Sequence, residues 1–197
     1  GHHSHTHDYL IDKTNQEFIK DIEKANDQFL KNLGYIPQLF SYPFGEYSDF
    51  MKNYISKNFK LSFGQHSGVI DINKNKFELP RFPINEKYGE IKRFKSIINY
   101  FPLEYKKISP EEKYLSKNTN PPRLEIKFFK DQKNLENINC YSNEGNKWKK
   151  SNTNFSDYTL MIEFREPFKP RRGRINCSLN DNGKWRWFGI QFPIKDN

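Results

Sequence analysis

His3 and His7 stand four residues apart in the opening run Gly1-His2-His3-Ser4-His5-Thr6-His7-Asp8-Tyr9-Leu10, which holds four of the chain's five histidines. On one helical turn or in a tight loop, that spacing lets both imidazoles face one cation. Two imidazoles are half of a metal site. The run also reads as a tag or a loose metal-binding tract, although Ser4 and Thr6 interrupt the histidines and a helix follows without a linker. The sequence begins with a ligand cluster and no Met. It therefore reads as a processed product, or as a fragment whose upstream part held the rest of the site.

The elements that would position these histidines come next. Thr14-Asn15-Gln16-Glu17 has the capping-box form. Phe18, Ile22, Ala25, Phe29 and Leu33 then recur at helical spacing, with Lys, Asp and Glu on the other face, until Gly34 stops the helix. Leu39 to Tyr42 reads as a strand, broken by Pro43 and Gly45. A second helix from Ser48 to Asn58 turns Phe50, Met51, Tyr54 and Ile55 inward. Further strands are expected at residues 60–63, 68–72 and 77–82, and a closing helix over 88–100 through Ile91, Phe94, Ile97 and Ile98. Strand, helix and strand in that order indicate an α/β unit with a parallel sheet.

The composition shifts at residues 101–122, where prolines and charged residues give no lasting period, and a linker is expected. Beyond it the apolar period is two, through Leu124, Ile126 and Phe128, then Tyr158, Leu160, Ile162 and Phe164, then Ile175, Cys177 and Leu179. Turns fit Asn143-Glu144-Gly145-Asn146 and Asn180-Asp181-Asn182-Gly183. Residues 123–197 thus read as a small all-β sandwich after an α/β region over 1–100. Cys140 and Cys177 lie in strand-like segments, as a disulfide or as two buried thiols. Trp185 and Trp187 share one strand face, either stacking on sugar rings or filling the core.

With 18 Phe, 11 Tyr and 3 Trp, a packed core is within reach of this chain. The net charge of +9 invites a nucleic acid, but Lys alternates with Glu and Asp throughout. Only Lys169-Pro170-Arg171-Arg172-Gly173-Arg174 is compactly basic, and it reads equally well as a solvated turn. No nucleic-acid partner is expected. No stretch is apolar enough to span a bilayer, the ten glycines form no phosphate loop, and no paired-Cys motif suggests a zinc finger.

Three features of the first region occur in a familiar order. His3-Ser4-His5-Thr6-His7 resembles the H-[ST]-x-x-H motif of the polysaccharide deacetylases, carbohydrate esterase family four. Gly34-Tyr35-Ile36-Pro37 resembles the segment that ends the helix after that motif. Phe40-Ser41-Tyr42-Pro43-Phe44-Gly45-Glu46-Tyr47 resembles the family's strand and Pro-aromatic-Gly turn. The likeness covers about residues 1–90, with Phe63 to Gly68 and Leu79 to Pro83 similar to closing strands.

The resemblance implies part of a deacetylase-type β/α barrel, its C-terminal portion, followed by the β unit. It implies metal-dependent hydrolysis of acetyl groups on N-acetylated or O-acetylated polysaccharide, a reaction at carbon–nitrogen bonds other than peptide bonds. His3 and His7 become ligands to a divalent ion, usually zinc. The third ligand is an Asp beside a general-base Asp, both expected upstream of Gly1; without them the chain binds metal weakly. The Phe44 N–H becomes an oxyanion donor, and Tyr42, Pro43, Phe44 and Gly45 line the sugar groove. A bacterial cell-envelope, periplasmic or secreted setting follows.

Two departures stand out. Many members carry Arg where Ser41 stands, and Arg81 is the only substitute in view. The family's late Leu-x-His motif has no match, which leaves His66 as either the general acid or a packed histidine. These gaps keep open a non-catalytic carbohydrate-binding protein with a degenerate site.

Overall fold

The computed structural model describes residues 1–195. The first helix, α1 (Asn15–Leu33), begins at the expected capping box, where the Thr14 hydroxyl accepts from Glu17 N–H and Glu17 reaches back to Thr14. Gly34 ends it in the left-handed region at φ 75°. Phe18, Ile22 and Ala25 are buried as the period requires, but Leu33 is exposed. Strand β1 (Leu39–Ser41), helix α2 (Asp49–Asn58) and strand β2 (Leu61–Phe63) follow. Ser48 caps α2 by accepting from Met51 N–H.

Strands β1 and β2 pair in parallel, extended by single bridges from His2 to Phe40 and from Phe63 to Leu79. The fold is mixed α/β, as expected, yet no sheet closes into a barrel. The strands expected at 68–72 and 77–82 do not form. Asx turns compete there: Asn73 N–H donates to the Asp71 carboxylate and Phe77 N–H to the Asn75 side chain, each at 2.9 Å. The third helix, α3 (Ile91–Ile97), is shorter than expected and buries none of its residues, so its apolar side chains face outward.

Residues 101–122 are not a bare connector. They supply β3 (Phe101–Pro102) and β4 (Lys107–Ser109), followed by β5 (Leu124–Lys127), β6 (Asn139–Ser142), β7 (Lys149–Lys150), β8 (Asn152–Ser156), β9 (Thr159–Glu163), β10 (Arg172–Asp181) and β11 (Lys184–Pro193). One sheet has the order β3-β11-β10-β6-β7 and the other β4-β5-β9-β8. Leu124, Ile126, Leu160 and Ile162 of one share a single apolar core with Ile175, Leu179, Ile190 and Phe192 of the other. The period-two reading holds because each strand buries alternate residues. The β10–β11 hairpin turns at Asn182-Gly183, both with positive φ, as its right-handed twist favours. Cys140 and Cys177 are directly opposed on β6 and β10 and form a disulfide. Trp185 is exposed, whereas Trp187 stacks on Tyr100. Among the described residues no helix is long and apolar enough to cross a membrane.

Candidate active site

The opening run adds a short strand-like segment beside β1. His2 N–H donates to Leu39 O at 2.7 Å, and Ser41 N–H donates to His2 O at 2.9 Å. Extended backbone alternates its side chains, so neighbouring histidines part company. His2 turns inward among Phe29, Phe40 and Phe59, and burial lowers its pKa to about 4, leaving a neutral core residue. His3 turns outward, with Nδ1 2.7 Å from the Ser41 carbonyl. A carbonyl only accepts, so Nδ1 carries the proton and Nε2 keeps its lone pair. A ligating histidine is oriented in this way.

A tight loop then brings His7 back. Ser4 and His7 sit in the left-handed region at φ 65° and 59°, a conformation that costs a non-glycine residue about 1–2 kcal/mol. The buried Asp21 of α1 holds the loop, accepting from His5 N–H at 2.8 Å, Thr6 N–H at 3.1 Å and the Thr6 hydroxyl at 2.8 Å. Ser4 Oγ accepts from His7 N–H at 3.1 Å. The two rings end with centroids 4.7 Å apart, at 67°. Two imidazoles sharing a tetrahedral ion, at Zn–N about 2.0–2.1 Å, have centroids about 5 Å apart, a separation close to the one seen here. Among the described residues no third His, Cys, Asp or Glu completes a group able to hold a metal.

His7 packs edge-on against Phe44, centroid to centroid 4.7 Å. Phe44 and Gly45 are both left-handed, at φ 57° and 67°. At Gly45 the glycine is obligatory, since a Cβ would stand 2.4 Å from Gln65 N. Gly45 N–H donates to Tyr42 O and Glu46 N–H to Pro43 O. The Phe44 N–H donates to no other described residue.

The groove wall expected from residues 42–45 needs correction. Tyr42 is 1% exposed, and its hydroxyl donates to Phe77 O while accepting from Ser62 Oγ. Pro43 and Gly45 are buried too. An aromatic at position 42 packs inward because β1 alternates and Phe40 already points into the same core. Phe44 is thus the side chain the turn offers outward.

His66 and Arg81 lie elsewhere. Arg81 Nε donates to Gly64 O at 3.1 Å, bound to local backbone. His66 lines a cavity of about 350 Å³ between the first region and the β unit, together with Tyr47, Glu78, Lys113, Tyr105 and Trp187. Neither His3 nor His7 lines that cavity. His66 is half-buried, and its Nδ1 is buried without a partner. Burial, with the positive charge of Lys113 second, lowers its pKa to about 4.

The basic run at 169–174 is not a solvated turn. Arg171 pairs with Asp12 at 2.5 Å and with Glu46 at 2.9 Å, and Arg172 pairs with Glu46 at 3.2 Å. Glu46 is 2% exposed. Its desolvation raises its pKa, opposed by the two guanidiniums. Sequence reasoning missed Asp21, Glu46, the two arginines and Gln191. Asp21 carried a signal, since it falls inside the stripe of Phe18, Ile22 and Ala25. The others carried none, because their partners are more than a hundred residues away.

No curated protein and no solved structure matches the chain. The polysaccharide deacetylase family matches residues 1–60, a span that contains the histidine loop, α1, the Phe44 turn and α2. The match lies at the N-terminal end of the chain and stops short of the residue 100 expected for this region. The similarity to the polysaccharide deacetylase family thus spans less than a third of the chain, residues 1–60.

Proposed function

We propose that this chain takes part in metal-dependent hydrolysis of acetyl groups on N-acetylated or O-acetylated polysaccharide. The observation that carries the reading is the juxtaposition of the His3 and His7 rings beside Phe44, with His3 Nδ1 engaged by the Ser41 carbonyl. A divalent ion such as zinc would be held by the His3 and His7 imidazoles and would supply Lewis-acid activation of the acetyl carbonyl and of water. His3 presents Nε2 because Ser41 fixes its tautomer. The Phe44 N–H donates to the oxygen on which negative charge develops, an interaction worth about 3 kcal/mol. Phe44 offers an apolar face to the sugar ring.

Acetate release from a chitin oligosaccharide by the full-length protein tests the reading. Release should require added zinc and fall at least about 100-fold in His3→Ala and in His7→Ala. A protein that retains the oligosaccharide but frees no acetate, with zinc present, would instead be a carbohydrate-binding relative with a degenerate site.

A further inference from the structure

We infer that Arg171, Arg172 and Gln191, all in the β unit or at its edge, are positioning residues for the Phe44 turn and the His7 ring. The inference rests on the reading that His7 and Phe44 serve acetyl hydrolysis. It makes residues 101–195 part of the active-site framework rather than an appended module.

Two sets of contacts carry it. Gln191 is 3% exposed, and its Nε2 donates to Phe44 O at 3.1 Å and to Gly45 O at 3.2 Å. Arg172 Nη1 adds a third hydrogen bond, to Phe44 O at 3.3 Å. The Pro43 carbonyl, coplanar with the Phe44 N–H across the same peptide, accepts from Glu46 N–H at 3.1 Å. Peptide planes on both sides of the left-handed Phe44 are therefore pinned, and with them the direction of its N–H. Strained backbone at a working site persists only where its surroundings over-determine it.

The second set is a column of side chains. The Arg171 guanidinium lies 4.0 Å from the Tyr9 ring centroid. Tyr9 stacks on Phe44 at 4.0 Å and 19°, Phe44 meets His7 at 4.7 Å, and His7 meets His3 at 4.7 Å. Arg171 is itself fixed by Asp12 and Glu46. The position of the His7 ring is thus referred, through Tyr9 and Phe44, to a cation on the β unit. The close fit is visible at Gly189, where a Cβ would stand 2.2 Å from Ser67 O across the same boundary.

The test compares the full-length wild type with Gln191→Met, Arg171→Met, Arg171→Lys and Tyr9→Leu. Tyr9 is 38% exposed, so its replacement should cost the fold little, which far-ultraviolet dichroism of each variant checks. For Gln191→Met we expect kcat to fall about 10- to 100-fold, with KM and zinc affinity within about 2-fold. For Arg171→Met and Tyr9→Leu, calorimetric zinc affinity should weaken about 10-fold. Arg171→Lys, which keeps the charge but loses the planar stack, should fall between. The His7 ring resonances should shift in Arg171→Met and Tyr9→Leu even without zinc. Folded variants with unchanged His7 resonances, unchanged zinc affinity and unchanged kcat overturn the inference. A wild type without His7-dependent zinc binding overturns the functional reading instead, and the metal-free resonances still decide whether the column positions His7.

Discussion

The β unit and the region before it solve the same burial problem in opposite ways. Residues 101–195 form two layers whose strands pair along their lengths, with a disulfide between β6 and β10 and one core shared by both sheets. Residues 1–100 hold only a two-stranded parallel sheet under two helices, and from Gly64 to Tyr100 the chain is mostly irregular. Ile70, Ile72, Ile84, Ile91, Phe94 and Ile98 all stand exposed along that stretch. The candidate site nevertheless lies in the sparser region, on the left-handed backbone of Ser4, His7 and Phe44. Its rigidity is supplied from outside, by side chains of the denser unit.

If that is so, damage to the β core should reach the first region. Phe192 is fully buried on β11, next to Gln191, and stacks on Phe168. Phe192→Ala should cost about 3–5 kcal/mol through lost burial and the cavity left behind. Denaturant unfolding followed by both far-ultraviolet dichroism and tryptophan fluorescence should stay one transition. Two separated transitions, with α1 surviving the loss of the β unit, would break the comparison.

The next test removes the electrostatic link. Glu46 is enclosed by Arg171 and Arg172, which are 17% and 19% exposed. Glu46→Ala leaves two guanidiniums near each other with one partner gone, at a cost of about 3 kcal/mol. Charge reversal is not needed to see the effect. If Glu46→Ala changes the denaturation midpoint by less than the equivalent of about 1 kcal/mol, the pair is an ordinary surface bridge.

What could be read from the sequence divides along the same line. Helix α1 was legible to the residue, because its cap, stripe and stop signal are local. The period-two strands were legible because each buries one face against a complete opposing layer. The 68–72 and 77–82 segments misled because Asx turns at Asp71 and Asn75 win locally, and only Leu79 pairs, in a single bridge to Phe63 of β2. In the site, the histidine spacing and the Pro-Phe-Gly turn were visible. The inward turn of Tyr42 and the inter-unit pairing of Arg171 were not, since both depend on what lies across the fold.

A smaller effect should appear with pH in the cavity between the units. His66 has a folded pKa of about 4 against an ordinary 6.5. Between those values the unfolded chain binds more protons, so the contribution of His66 is fully present above pH 6.5 and is lost as pH falls through 4. Lys113, whose own pKa burial lowers, faces it with Lys52, Asp49, Glu78 and Glu112 in the same cluster. Melting temperature measured at steps across that range should decline more steeply in the wild type than in His66→Asn. Parallel slopes would mean the ring is solvated and the cavity open.

The smallest effect is expected on α3, where sequence periodicity promised burial and the fold delivers none. Ile91 is 67% exposed and Ile98 60% exposed. Ile91→Ser and Ile98→Ser should each change stability by less than about 0.5 kcal/mol, as surface substitutions do. A buried isoleucine lost in the same way would cost several times more. The two cases separate cleanly in a denaturant titration. A large loss would mean that α3 is covered in solution, and the first region would then be less sparse than its contacts with the β unit suggest.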